Sequence, residues 1–289
     1  MSFKSEFLMT SSPSAAEAGQ LLAARFRLPL AGRSWRGQAG GWRGAAAGSS
    51  IEFREHRNYQ AGDDLRHLDW SATARTGQPM LRVYREEVRP SVDLLIDGSG
   101  SLALDDDKEH LSRTLAEWVW QASRADGVSL MIWRLSDKGC HLIPPEAFSS
   151  RELKFAGRAL DYQSATLRSG AMRVVISDLL FPGEPRAWLS PLLQSAGGCL
   201  LLCPWSPAEA EPDWSGNMDL EDCEAPGTAR VLVDERVMSD YRAAYLRHVA
   251  LWQESCTSLG INLLRLRAGE DPATSFSAAI HQGAIAPCK

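Results

Sequence analysis

Between residues 92 and 266, short apolar runs rich in β-branched side chains alternate with stretches whose apolar residues recur at helical spacing. That alternation narrows the fold more than any other feature of the chain. Runs at 92–97, 128–135, 173–178, 199–203 and 261–266 read as strands. The first of them reads as buried on both faces, as in a parallel sheet covered on both sides. Helices are expected over 107–124, where Leu111, Leu115, Trp118, Val119 and Ala122 share a face behind the acids 105–107. Further helices are expected over 151–160, over 185–196 with Pro191 inside, and over 239–259 closed by Gly260. A last one opens at Asp271-Pro272, a capping residue followed by a first-turn proline. Short strands fit 140–143, at a sheet edge, and 230–233. The expected architecture is α/β: a doubly wound, mostly parallel sheet with helices on both faces. The chain's 289 residues, 44% of them apolar, suffice for such a domain and an appendage.

The appendage precedes the sheet. Residues 1–14 are polar and expected to be disordered. Residues 15–26 fit a short helix carrying Leu21, Leu22 and Phe26. Residues 29–50 hold six glycines with Trp35 and Trp42 and show no period, so an extended arm laid against the domain is expected. Residues 52–89 carry seven arginines and seven acids. A balanced set points to internal ion pairing, a clamp holding this segment on the domain, rather than to an anion site. Asp63 or Asp64 is expected to cap a helix over 69–75, with a strand at 81–85. The resulting division is 1–14, 15–90 and 91–284, with 205–228 as an acidic insertion; its residues 205–224 hold seven acids and no Lys or Arg.

Several functions are disfavoured by what the chain lacks. A net charge of -5 gives no support to nucleic acid as a partner. The start does not lead into a signal-peptide core, and the longest apolar runs are far short of a membrane span, so no membrane insertion is expected. The six cysteines form no C-x-x-C pair, and Cys199 and Cys203 lie inside a strand. They read as small core hydrophobes in a reducing compartment, and the expected location is cytoplasmic. There is no phosphate-binding G-x-x-x-x-G-K-[ST]. Gly98-Ser99-Gly100 has the wrong spacing for a nucleophile elbow, and Ser99 stands where aspartyl-phosphate chemistry wants a second carboxylate. Among the six histidines none forms a metal-like pair. His110 and His248 fall on predicted helix surfaces, and His56 and His67 lie within the Arg/Asp-rich block. The expectation is a protein that is not an enzyme.

The candidate site is the end of the first strand, Asp97-Gly98-Ser99-Gly100-Ser101. Small residues let the backbone turn sharply there, and one carboxylate with two hydroxyls at alternate positions makes a hard, oxygen-only donor set suited to magnesium or manganese. Asp178 ends a later strand, 81 positions on. In an open α/β sheet ligands bind beyond the carboxyl ends of strands near the reversal of strand order, so Asp178 can reach the same edge. The alternative is purely local: Asp97 capping its turn and the serines capping a helix.

Residues 92–101 and Asp178, with the alternation between them, resemble a von Willebrand factor A-type domain with a metal-ion-dependent adhesion site. The block Arg57-Asn58-Tyr59-Gln60-Ala61-Gly62-Asp63-Asp64-Leu65-Arg66-His67-Leu68-Asp69-Trp70, followed by Arg75, is similar to the signature of the domain of unknown function 58 family. The likeness runs over about 21–281. Asn58 and Ala61 stand where prolines are frequent in that family. Its G-G-x-T-D-L segment and following helix are matched only by residues 163–170, where Thr166 takes the threonine's place. The resemblance implies Asp97, Ser99, Ser101, Asp178 and Thr166 as ligands of a Mg2+ or Mn2+ ion, bound weakly or not at all. It implies Arg57, Tyr59, Gly62, Asp63, Asp64, Arg66, Asp69, Trp70 and Arg75 as signature or interface residues. It further implies a non-enzymatic protein-binding adaptor accompanying a MoxR-type AAA ATPase in chaperone-like assembly or maturation of other proteins. A scaffold with a vestigial metal site is the alternative, and a metal-dependent hydrolase ranks below both.

Overall fold

The run that ends at Asp97 lies inside a six-stranded sheet, with three strands on one side of it and two on the other. A computed structural model describes residues 13–30, 52–60, 63–85, 90–158, 162–224 and 227–288. The chain divides into two compact units, residues 1–34 with 90–289 and residues 35–89. In chain order the first elements are α1 (Ala15–Arg25), β1 (Phe26–Arg27), β2 (Glu52–Asn58), α2 (Trp70–Thr76), β3 (Met80–Arg85), β4 (Ser91–Asp97) and α3 (Asp106–Ala125). Then come β5 (Ser129–Ser136), β6 (Gly139–Ile143), β7 (Met172–Ile176), α4 (Pro185–Leu193), β8 (Gly198–Trp205) and α5 (Pro207–Ala210). The chain ends with β9 (Gly216–Glu221), β10 (Thr228–Val233), α6 (Glu235–Ser258), β11 (Asn262–Arg267), α7 (Pro272–His281) and β12 (Ala286–Pro287).

The main sheet has the order β11-β8-β7-β4-β5-β6, parallel throughout except for the antiparallel edge strand β6. The protein is therefore α/β with a mostly parallel sheet. From β4 the chain first adds strands on one side and then returns to add β7 on the other, so strand order reverses at β4. Leu95, Val175 and Leu201 alternate onto one face, where they pack with Leu189 and Leu192 of α4 and Trp252 and Cys256 of α6. Leu94, Ile96, Val174, Ile176, Leu200 and Leu202 are fully buried between them in sequence. Helix α3 lies along β4, β5, β7 and β8 and sets Trp118 edge-on to Phe276 of α7, 4.5 Å between ring centres. Helix α1 packs on α3 so closely that a Cβ at Gly19 would come within 2.5 Å of Glu117 Cβ. The sequence groups residues 15–90 together, whereas this packing puts α1 in the sheet-bearing unit.

In the second unit β2 and β3 pair antiparallel, with α2 between them in sequence. The carboxylate of Asp69 caps α2, accepting from Ser71 N at 2.9 Å and Ala72 N at 3.0 Å. This corrects the expected cap. Asp64 instead caps the single 3-10 turn Leu65–His67, and Asp63 accepts from Arg57 and from Gln60 N. Residues 1–12, the arm with Trp35 and Trp42, and Gly62 lie outside the described residues.

One further expectation gives way. The described part of the helix expected over 151–160, residues 151–158, is not α-helical. Ser150–Glu152 is one 3-10 turn, and the described chain from 153 to 158 is irregular, with Gly157 at φ 96°. Its backbone is used elsewhere: Ala156 N donates to Gly98 O at 2.7 Å, and Gly157 O accepts from Gly100 N at 3.1 Å. The acidic insertion holds α5, opened by a reciprocal Ser206–Glu209 capping box, and β9, which pairs antiparallel with β10 at the insertion's far end.

Candidate functional site at the strand tip

Parallel pairing of β4 with β7 sets Ile96 beside Ile176, so the tips that follow, Asp97 and residues 177–178, emerge side by side where strand order reverses. Beyond Asp97 the chain turns at once. Ser99 N donates to Asp97 Oδ1 at 2.9 Å, and Gly98 N is tied to Leu135 O at 2.9 Å. A 3-10 turn follows over Gly100–Ala103, with Ser99 at its cap position but with no hydrogen bond from the turn to the Ser99 side chain. The two hydroxyls face each other instead, Ser99 Oγ and Ser101 Oγ lying 2.9 Å apart, both buried. The capping role suggested by the local pattern is therefore held by Asp97 alone, and the serine hydroxyls converge beside it.

From β7, Ser177 Oγ donates to Asp97 Oδ2 at 2.8 Å, which joins the two strand tips. Leu180 N donates to Asp178 Oδ1 at 3.1 Å, and Lys108 Nζ donates to Asp178 Oδ2 at 2.8 Å. Leu179, between them, has φ 61°, a left-handed conformation uncommon for so bulky a residue. It is held there by Ser177 Oγ, which accepts from its N–H at 3.0 Å, and by His248 Nε2, 2.7 Å from its carbonyl oxygen.

The charge balance of this tip is uneven. Lys108, in the first turn of α3, is wholly buried and bridges Asp178 and Glu209 of α5. Burial pushes its ammonium down, but the two carboxylates outweigh that and leave its pKa raised. Glu209 is pushed up by its own burial, against the pull of Lys108. Among the described residues Asp97 has no such cation. Burial, and then the charge of Asp178, push its pKa up to about 7, against the hydrogen bonds from Ser99 and Ser177. Two buried carboxylates near enough to repel, with two hydroxyls alongside, are a hard oxygen donor set, and a divalent cation would relieve their repulsion. The residues present thus fit magnesium or manganese. Among the described residues no three His, Cys, Asp or Glu side chains converge as a metal cluster, so half of this donor set would be hydroxyls.

The model of the family described as Protein of unknown function DUF58 matches residues 55–251. The chain belongs to the DUF58 family. Uncharacterised proteins of Mycobacterium tuberculosis (Rv1480) and Mycobacterium bovis (Mb1516) are each 26% identical to this family member over 270 residues, covering 84% of both chains. Among solved structures, a conserved hypothetical protein BatB from Bacteroides thetaiotaomicron covers 67% of this chain and 96% of its own, with 11% identity and a TM-score of 0.34. An aerotolerance-related membrane protein from Bacteroides fragilis covers 67% and 98%, with 13% identity and a TM-score of 0.31. In this DUF58 chain no helix of the described residues is long and apolar enough to cross a membrane.

Of the residues expected at the site, Asp97, Ser99, Ser101 and Asp178 are brought together. Thr166 is not joined to them by any hydrogen bond among the described residues. It is exposed, on a segment tied at one end by Ser164 Oγ to Cys140 N and at the other by Arg168 to Asp93 and Ser129. Lys108, Ser177 and Glu209 are additions that spacing alone does not reveal.

Within the unit of residues 35–89 the signature residues bond to one another. Arg57 and Asp63 form a two-pronged pair at 2.7 and 2.6 Å. Arg66 holds Asp64, whose pKa falls to about 2, and His56 Nε2 lies 2.8 Å from Asp69 Oδ2. Tyr59 N donates to Pro79 O, while Trp70 and Arg75 are exposed. Burial lifts the thiols of Cys203 to about 12 and Cys256 to about 11, in keeping with core positions.

Proposed function

We propose that this protein is a non-enzymatic binding module, related in design to von Willebrand factor A-type domains, whose strand tip recognises an acidic side chain of a partner protein. The observation that carries this is the pairing at one sheet edge of two buried, mutually repelling carboxylates, Asp97 and Asp178, with two hydroxyls that have no capping duty. Ser99 and Ser101 would hold a Mg2+ or Mn2+ ion directly, and Asp97 and Asp178 directly or through water. When bound, such an ion supplies positive charge at which a partner's carboxylate completes the site. The chain's own part is to fix that geometry. Ser177 ties Asp97 to the neighbouring strand, Leu180 N holds one oxygen of Asp178, and Lys108 holds the other. Among the described residues no nucleophile is paired with a base at the tip, which favours recognition over hydrolysis. The partner in this proposal is a MoxR-type AAA ATPase with its clients, in chaperone-like assembly or maturation of other proteins in the cytoplasm.

A scaffold with a vestigial metal site is the second reading, and Lys108 favours it, because its ammonium already supplies one cation to Asp178. Calorimetric titration with magnesium and manganese separates the two. The metal-dependent module releases or absorbs heat that Asp97→Ala abolishes, and captures its partner only without chelator. A flat titration of the wild-type protein would leave the scaffold.

A further inference from the structure

The strand tip carries a neighbour that its binding role does not require. Between β9 and β10 the chain turns at Asp222-Cys223-Glu224, with Asp222 N donating to Gly227 O at 3.2 Å and Glu224 N donating to Asp222 Oδ1 at 2.8 Å. This turn lies directly on the 3-10 turn of the site. A Cβ at Gly100 would come within 2.2 Å of the Cys223 carbonyl oxygen and 3.1 Å of its carbonyl carbon, and all three of its nearest neighbours are Cys223 atoms. Glycine is needed at 100 to let this backbone approach. Arg158, from the irregular segment that also bonds the strand tip, stands 3.9 Å from Asp222. Glu224, half-buried, is thereby brought against Ser101 and into the field of Asp178. Its carboxylate accepts a hydrogen bond from the Ser101 hydroxyl. A carboxylate held beside a hydroxyl of the donor set is what the site is proposed to receive from outside.

We infer that the β9–β10 hairpin is an internal occupant of the strand-tip site: Glu224 stands in for the partner's acidic side chain, and a partner binds by displacing the hairpin. This rests on the proposed cation-dependent recognition and adds its regulation. A tethered carboxylate competes at a high effective concentration, so only a partner with further contacts, or a change that lifts the hairpin, opens the site. The acids on the hairpin have a separate role here from those that hold Lys108: Glu209 is a fixed structural partner, whereas Glu224 is replaceable.

Two variants lift the internal ligand in different ways. Gly100→Ala drives the turn off by collision with Cys223, and Glu224→Gln keeps the turn but removes its charge. The probes are the capped tripeptide acetyl-Gly-Glu-Gly-amide, with acetyl-Gly-Gln-Gly-amide as control, titrated by NMR into each full-length protein with magnesium. Hydrogen exchange is followed at residues 98–101 and 222–224. Both variants are expected to bind the glutamate peptide at least about tenfold more tightly than wild type, to lose it on adding chelator, and to ignore the glutamine peptide. Gly100→Ala should also speed exchange at 222–224. Equal peptide affinity in all three proteins with unchanged exchange, while calorimetry still records magnesium binding, overturns the hairpin as occupant and leaves the site intact. Absence of magnesium binding in wild type and both variants removes the site itself, and this inference with it.

Discussion

Strand β4 carries two buried aspartates four residues apart, and the sheet treats them in opposite ways. Asp93, at the end where the strand begins, is saturated by protein cations: Arg168 Nε reaches Oδ1 at 2.7 Å, Arg168 N reaches Oδ2 at 2.8 Å, and Arg173, itself buried, pairs with Oδ2. Asp97, about 13 Å further along, receives only neutral donors among the described residues and lies in the field of Asp178. Burial is nearly complete at both, 0% and 1% exposed, so burial does not separate them. Compensation does. A buried acid whose charge is cancelled by fixed arginines has nothing left to offer a ligand and serves to lock strands and loops together. One that is buried without its own cation stores an electrostatic demand that something from outside can satisfy.

If that contrast is right, the largest effect falls at the silent end. Asp93→Ala leaves the Arg173 guanidinium buried without its carboxylate, and the expected loss is about 3–5 kcal/mol of unfolding free energy. Urea unfolding in chelator measures it, and a midpoint close to wild type would mean that Asp93 is no more structural than Asp97. At the open end the sign reverses. Saturating magnesium should raise wild-type stability by about 2.7 kcal/mol at a hundred times Kd. Asp97→Asn should abolish that gain and, in chelator near neutral pH, leave the protein more stable than wild type by on the order of 1 kcal/mol, because a repelled charge beside Asp178 is gone. An Asp97→Asn protein that is destabilised in chelator and still responds to magnesium would erase the distinction between the two ends.

How far the sequence discloses this difference depends on distance along the chain. The turn at 97–101 is legible because its donors sit at alternate positions of one short stretch, and the strands on either side follow from their apolar runs. The partners that decide the role of each acid come from far away. Lys108 is 70 positions from Asp178 and 101 from Glu209, and in the sequence it is one more lysine in the first turn of an amphipathic helix. Its burial follows from the Ser206–Glu209 capping box, which folds Glu209 back over it. Residues 151–160 carry helix-forming side chains, yet their backbone is drawn into bonds with Gly98 and Gly100, a tertiary demand that overrides propensity. In the acidic insertion the density of carboxylates masks the strand pairing that sets Met218 beside Val231 and so folds Glu224 toward the site. Thr166's placement is hidden for the opposite reason: a match by position to a family segment says nothing of where Arg168 and Ser164 anchor the chain.

The same rule about compensation should hold at smaller scale in the unit of residues 35–89, where the acids differ in exposure as well. Asp69 is buried, caps α2 through two backbone amides and meets His56. Asp64 pairs with an Arg66 whose side chain is 88% exposed, two residues away in the same turn. Replacing Asp69 by alanine removes a helix cap and is expected to cost about 1–2 kcal/mol. Replacing Arg66 by alanine removes an ion pair already screened by water and should leave the unfolding midpoint unchanged. Loss of partner capture by Arg66→Ala at unchanged stability would place an interface on this exposed pair. Equal destabilisation by both substitutions would show instead that the signature segment is one coupled network in which exposure does not decide what each charge contributes.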